Sequence, residues 1–368
     1  MKKFFGLLLL LTLAGCATTN HKAHKGQEPG VVSVMAYNVE NLFDTVHDPN
    51  RNDWAYLPLD FKKKSSEHRQ ACEEQGTRYL QSCLNMDWSN EILERKMQRL
   101  ADVILQVNDG RGPDILMMEE VENERVLKRL RDGYLKKANY QTLVLIEGPD
   151  KRGIDVALMS RLPQAEPAQL HVIPFKGKSE KDQEWMEKSR GILQTNLRLP
   201  DGETLTIFGV HFPSPSNPQY WREQAIDHLI KLKNKLPAGR MYMAGGDFNI
   251  AAEEEAKAGQ YRTRLAKDFQ ISHLIGCKGC RGTNYYHTKR SWSFLDALVF
   301  SKEMSQSGSA GWYIEPDSIY IPTESKYQVN RWLSPARFES HGPVGVSDHW
   351  PIMGWLRPKK KPPAQAAH

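Results

Sequence analysis

Apolar positions along this chain fall into short runs that end on polar residues. Residues 31–37 are apolar and rich in β-branched side chains and stop at Asn38, which predicts a buried strand delivering a polar group at its tip. The pattern recurs where Asp114-Ile115-Leu116-Met117-Met118 runs into Glu119 and Glu120. Further strands are predicted at 142–146, 154–160, 192–199, 204–211, 241–246, 294–300 and 351–355. A different period begins after Ser89, a suitable N-cap: Leu93, Met97, Leu100, Ile104 and Val107 share one helical face, and residues 109–113 stop the helix. Helices are also predicted near 124–135 and 220–236. Strands and helices mix without strict alternation, and no nucleotide-binding glycine motif, internal repeat or heptad occurs. The expected fold is therefore α/β (α+β), a four-layer sandwich of two packed mixed sheets flanked by helices, and not a Rossmann fold.

Residues 48–88 break this pattern. They are polar and aromatic, contain Lys62-Lys63-Lys64 and carry Cys72 and Cys83, so they read as a long insertion. The remainder of residues 31–356 reads as one domain.

The ends of the chain add targeting information. Lys2 and Lys3 precede an unbroken apolar or small run over 4–14, as in a signal peptide covering 1–15; the run is too short to span a bilayer. Leu13-Ala14-Gly15-Cys16 resembles a bacterial lipobox, which makes Cys16 the expected lipidation site. Ala17 and Thr18 follow, with no Asp, a pattern similar to lipoproteins sorted to the outer membrane. Residues 16–30 read as a tether and 357–368 as a basic Pro/Lys tail. The composition, 40% hydrophobic and 26% charged, is that of a globular protein. The net charge is +6, and Lys2 and Lys3 with the four cations of the tail account for all of it. The body is therefore close to neutral, and bulk charge says little about partners. Without Cys16, four cysteines remain, and in an exported protein disulfides are the default. Three connectivities are open. Cys277-x-x-Cys280 with His273 and His287 leaves zinc as an alternative.

Candidate chemistry sits where the apolar runs stop. Asn38, Glu119 and Glu120, His211, Asp247 with Asn249, Asp296, and Asp348 with His349 all occupy such positions, which suggests one shared pocket. Carboxylates with an Asn amide make a hard oxygen site suited to Mg²⁺, Mn²⁺ or Ca²⁺, and two histidines beside it supply proton transfer and charge neutralisation.

In order, Ala36-Tyr37-Asn38-Val39-Glu40-Asn41, Met118-Glu119-Glu120-Val121, His211-Phe212, Gly246-Asp247-Phe248-Asn249, Leu295-Asp296 and Ser347-Asp348-His349 resemble the motifs of the endonuclease/exonuclease/phosphatase superfamily. Deoxyribonuclease I, abasic-site endonucleases, bacterial sphingomyelinases and inositol polyphosphate phosphatases belong to it. Glu120-Val121-Glu122-Asn123, the segment from Arg152 to Ala157 and Trp292-Ser293-Phe294-Leu295-Asp296 are most similar to bacterial exported nucleases. The resemblance implies a deoxyribonuclease I-like fold and a divalent-metal-dependent phosphodiester hydrolase. Asn38 and Glu120 would hold the metal, with Asp348 a nearby or second ligand; Glu119 stands where many members have Gln. Asp247 would activate the attacking water and Asn249 orient it. His211 and His349 would contact phosphoryl oxygens or act as acid and base, Asp296 would fix the ring of His349, and Arg152 would contact substrate phosphate. The leading expectation is a monomeric, lipid-anchored nuclease of low sequence preference acting on DNA or RNA at the outer membrane, with no protein partner implied. Alternatives are a phosphodiesterase or phosphatase on lipid or small-molecule phosphates, and a binding lipoprotein without catalysis.

Overall fold

A computed structural model describes residues 30–359, so the expected signal peptide, Cys16, nearly all of the tether and the end of the tail lie outside the described residues. Fourteen strands appear in chain order among them. They are β1 (Val32–Leu42), β2 (Ile115–Val121), β3 (Thr142–Leu145), β4 (Asp155–Ser160), β5 (Gln164–His171), β6 (Ile192–Arg198) and β7 (Thr204–His211), followed by β8 (Met241–Asp247), β9 (Phe269–Ile271), β10 (Asn284–Tyr286), β11 (Ser291–Ser293), β12 (Asp296–Ser301), β13 (Trp312–Ile314) and β14 (Ile352–Pro358). One six-stranded sheet has the order β13-β14-β1-β2-β4-β3, the other β5-β6-β7-β8-β12-β9, and β10-β11 form a separate hairpin. Both sheets are mixed, because β1 and β2 are parallel, as are β7 and β8, while the remaining pairs are antiparallel.

Alternation along the strands makes the layers. In β1, Val34 and Ala36 pack with Ile115, Met117, Ile207, Met243 and Leu298 between the sheets, while Met35 and Tyr37 face the opposite way. There they meet Leu93, Met97, Leu100 and Ile104 from helix Asn90–Leu105, which Ser89 caps by accepting from the Ile92 N–H. Four fully buried side chains of this size contribute roughly 6–12 kcal/mol of gross burial. On the other outer face, Phe208, Val210 and Ala244 pack against Trp221, Ala225, Ile226 and Leu229 of helix Gln219–Lys233. The sheets approach closely at Gly245, where a Cβ would lie 2.3 Å from the Met117 methyl.

The 48–88 segment is an ordered unit. Helices Ser66–Glu74 and Thr77–Asn85 are joined by a Cys72–Cys83 disulfide over a small core of Trp54, Leu57 and the two cysteines. Lys62 ties it together, its Nζ donating to the carbonyls of Ala55 (2.7 Å), Cys83 (3.0 Å) and Met86 (2.7 Å).

Two readings need correction. Cys277 and Cys280 form a disulfide, so the zinc alternative lacks its thiolates. His273 is half-buried and stacks on Phe294 at 4.3 Å, and desolvation pushes its imidazole down to about 3. The basic tail does not begin at 357: β14 runs to Pro358, paired with Trp312, and Arg357 Nε lies 2.7 Å from Glu315. Strand β5 was not expected, because Pro167 and the lack of any buried residue give no alternation to read; an edge strand tolerates both. Among the described residues no helix is long and apolar enough to cross a membrane.

Candidate active site

Strand register assembles the site. His211 at the end of β7 is aligned with Asp247 at the end of β8, and Asp247 is aligned with Asp296 at the start of β12. Three chemically active side chains thus stand in one row across the strand ends of the second sheet. From the first sheet, Asn38 Nδ2 donates to Asp247 Oδ2 at 3.1 Å, so the row is joined across the sandwich. Gly246 makes this closeness possible: it has φ +131°, and a Cβ there would lie 2.2 Å from the Val210 carbonyl.

The two glutamates ending β2 separate cleanly. Glu119 is fully buried, neither carboxylate oxygen has a hydrogen-bond partner, and its Oε1 lies 2.5 Å from the Cβ that Gly246 would carry. Burial, then the charges of Asp296 and Asp247, pushes its carboxyl well above the usual range, so it is neutral packing. Glu120 is half-buried with φ +65°; its Oε2 accepts from the Asn41 N–H at 3.0 Å, and its Oε1 stands 3.9 Å from His211 Nε2. A register shift in the β1–β2 pairing at this point turns Glu120 into the cleft.

His349 Nδ1 lies 2.7 Å from Asp296 Oδ2, and both residues are buried. Burial alone would lower the imidazole, but Asp296, by charge and hydrogen bond, holds it well above its ordinary value and thus protonated. His211 goes the other way. Burial first, then Arg190 and Arg152, pushes it well below the usual histidine range, so it is neutral, with Nε2 3.6 Å from Asp247 Oδ2. Burial and the neighbouring Asp296 raise Asp247 to about 7, which places it near the range where a carboxylate acts as a base in neutral solution. Asn249 has φ +53°; its backbone N–H donates to Asp247 Oδ1 (2.8 Å), and its Nδ2 to the Phe212 carbonyl (2.9 Å) and Asp247 Oδ2 (3.1 Å). In this arrangement Asn249 positions Asp247.

Asp348 is half-buried, and its backbone N–H donates to Glu40 Oε2 at 3.1 Å. Ser347 Oγ donates to the Asn38 carbonyl at 2.7 Å, fastening the Asp348-His349 segment to β1. Arg152 is half-exposed at the cleft, its Nε 3.6 Å from Asp150 and its charge felt by Glu120 and His211.

Several site residues escaped the sequence reading. Glu40 is buried and pushed up to about 7 by burial and Asp348, against the pull of Lys96 and Arg337. Arg337 Nε lies 2.6 Å from it, and Lys96 Nζ donates to its carbonyl at 2.9 Å. Arg190 Nη1 lies 3.1 Å from Asp150, and its Nη2 donates to the Phe212 carbonyl at 3.1 Å. Glu40 sits inside the Asn38 motif and was available as a signal; a lone Arg before a strand, as Arg190 is, was not.

The donor chemistry suits a hard divalent cation. Asn38, Glu120 and Asp348 can each offer an oxygen, and the ring nitrogen facing Glu120 Oε1, His211 Nε2 at 3.9 Å, belongs to a neutral imidazole that does not compete with a cation. The close Asp247, Asp296 and His349 cluster has metal-like spacing, but His349 is already committed to Asp296 as an ion pair.

Comparison with known proteins agrees with this architecture. The family model described as "Endonuclease/Exonuclease/phosphatase family" matches residues 73–358. An endonuclease/exonuclease/phosphatase family protein from Bacteroides thetaiotaomicron shares 14% identity at a TM-score of 0.50, covering 90% of this chain and 98% of that one. A second such protein, from Beutenbergia cavernae, shares 13% identity at 0.50, covering 91% and 73%. A humanized D. rerio TDP2 shares 14% identity at 0.50, covering 89% and 99%. At these identities the likeness shows the two-sheet fold alone. No curated protein matches the sequence significantly.

Proposed function

Because this chain belongs to the endonuclease/exonuclease/phosphatase family, we propose that it is a divalent-metal-dependent phosphodiester hydrolase, and specifically a nuclease of low sequence preference. The observation that carries this reading is the aligned row of His211, Asp247 and Asp296–His349, joined to Asn38 of the opposite sheet. Asn38 and Glu120 would hold the metal, with Asp348 beside them. Bound there, a divalent cation would supply Lewis-acid polarisation of a phosphoryl oxygen.

The protein's own groups divide the remaining work. Asp247, raised to about 7 and held by the amides of Asn38 and Asn249, takes a proton from the attacking water. The His349 imidazolium, fixed by Asp296, offsets charge developing on the phosphoryl oxygens. Neutral His211 sits between Asp247 and Glu120 as a hydrogen-bonding partner for the same oxygens. Arg152 meets the substrate phosphate from the open side. Action outside the cytoplasm, with a lipid on Cys16 at the outer membrane, completes the proposal; the Cys72–Cys83 and Cys277–Cys280 disulfides favour an oxidising compartment.

The test is a substrate panel. The protein is assayed with Mg²⁺, Mn²⁺ or Ca²⁺ against duplex DNA, single-stranded DNA, RNA, sphingomyelin vesicles and an inositol phosphate. Cleavage of a nucleic acid with little sequence preference is expected. Turnover confined to a lipid or inositol phosphate would replace the nuclease reading with a phosphodiesterase or phosphatase one.

A further inference from the structure

The hairpin β10–β11 is rooted in the catalytic residues. Asn284 forms a backbone bridge with His349, and its Nδ2 donates to the Asp348 carbonyl at 2.9 Å. Thr283 accepts from the Trp350 N–H through its carbonyl (2.8 Å) and from the Asp296 N–H through its Oγ1 (3.0 Å). From this root a row of rings leads outward. Trp350 packs on Trp292 (5.1 Å between centroids), Trp292 on Tyr285 (5.1 Å), Tyr285 on His287 (4.9 Å) and His287 on Trp332 (5.9 Å).

The outer end of the row is held up in solvent. Trp332 is 62% exposed and Leu333 66%, and Leu333 has φ +57°. Asn330 builds the turn: its Oδ1 accepts from the Trp332 N–H (2.9 Å) and the Ser334 N–H (3.2 Å), and its Nδ2 donates to Ser334 Oγ (2.8 Å). The Arg331 guanidinium lies 4.1 Å from the Trp332 ring centre. What sets Trp332 apart from other exposed rings is that it stands beside exposed Leu333 at the outer end of a row of rings that starts next to His349.

We propose that this aromatic row is a subsite for unpaired nucleobases, which makes single-stranded nucleic acid the preferred substrate of the adjacent centre. The proposal rests on the nuclease reading above. Base faces are available for stacking only in unpaired strands, since a duplex presents edges and phosphates. Ring spacings of 4.9–5.9 Å lead from the residue after His349 to Trp332, and Arg331 adds the positive charge that a phosphate-bearing strand requires. A lipid surface fits less well: the apolar tip is two residues wide, flanked by Arg331 and Asn330, and an inserting tip has no need of a ring row back to the catalytic residues.

The experiment compares kcat/KM of the full chain on an oligothymidylate, on the corresponding duplex and on vesicles of sphingomyelin with anionic lipid. Trp332→Ala should lower the single-strand over duplex preference about ten- to thirtyfold, mainly through KM. Trp332→Phe should restore most of it, and Trp185→Ala, an exposed tryptophan elsewhere, should leave it as in the parent. Cleavage of nucleic acid with a preference that Trp332→Ala leaves unchanged overturns the subsite while the nuclease reading stands. Loss of vesicle binding with the preference intact overturns it in favour of a membrane contact. Absence of any nucleic-acid cleavage by the parent protein, with lipid turnover present, refutes the nuclease reading and this proposal with it.

Discussion

Replacing Asp296 by Asn removes the charge that holds His349 as an imidazolium while keeping the shape of the side chain. The pair spans 53 positions in sequence, meets at 2.7 Å and is buried, so its hydrogen bond is charge-assisted and shielded from water. Hydrogen bonds to charged groups contribute about 1.5–3 kcal/mol, which converts to a loss of roughly 10- to 150-fold in kcat if the pair acts in the transition state. His349→Ala removes the imidazolium itself and should cost about 10²–10³-fold. Folding should survive Asp296→Asn, because the Asp296 charge raises Asp247, and removing it relieves that repulsion. The assay is single-turnover cleavage with saturating divalent metal, with Tm recorded for each variant. Asp296 acts chiefly through His349, its remaining effect being on Asp247, so the double variant should be little slower than His349→Ala. A double variant that shows the product of the two single losses would refute the pairing.

Three further outcomes are expected. Exhaustive chelation should abolish turnover and added Mg²⁺, Mn²⁺ or Ca²⁺ restore it, because the oxygen donors Asn38, Glu120 and Asp348 are the proposed metal ligands; full turnover without metal would sink the assignment. Glu122 is raised to about 9 by burial and the neighbouring Asp44, so the folded state holds its proton more tightly than the unfolded one; the stability present below about pH 4.5 is lost as pH rises towards 9. Glu122→Gln should therefore match the parent near pH 4.5 and exceed it by roughly 1–4 kcal/mol at pH 8, and equal denaturation midpoints at both pH values would contradict this. Cys16→Ala should release the protein from membranes, whereas pelleting that persists after a high-salt wash would exclude the lipid anchor.

The two-sheet architecture was legible because the core strands alternate or run apolar and stop on polar residues, as β1, β2, β7 and β8 do. What periodicity could not supply was anything short or at an edge: β5 contains Pro167, and β9, β10, β11 and β13 have three residues each or too little burial to pattern them. Among site residues, those at strand ends could be read because a polar group closing an apolar run is itself the signal. Arg190, Arg337 and Lys96 could not, since a single basic residue in a loop or helix reads as a solvated charge, and only tertiary packing brings Lys96 Nζ to the Glu40 carbonyl. The insertion was misleading in another way. Its polar composition hid a compact unit, because one buried lysine satisfying three carbonyls and a disulfide reinforce a small apolar core.

Why Glu120 and not Glu119 faces the cleft follows from backbone strain at the end of the parallel pair. Regular alternation would send Glu119 between the sheets and Glu120 into the helix-covered face, where Met118 and Val121 already pack. The chain escapes that pattern by placing Glu40, Asn41 and Glu120 at φ +51°, +59° and +65°, a conformation costing on the order of 1–2 kcal/mol for each residue with a side chain. The two strands break together, and the Asn41 N–H freed from the ladder is satisfied by the Glu120 carboxylate. Such strain persists only where the surroundings over-determine it. Here Tyr37, Val39, Leu42 and Val121, all buried to within 1% of complete, clamp both sides of the bulge. The rigid core beneath the bulge therefore holds in the cleft a carboxylate that local preference would bury. The same logic applies at Asn249, whose φ of +53° brings its N–H and amide back onto Asp247.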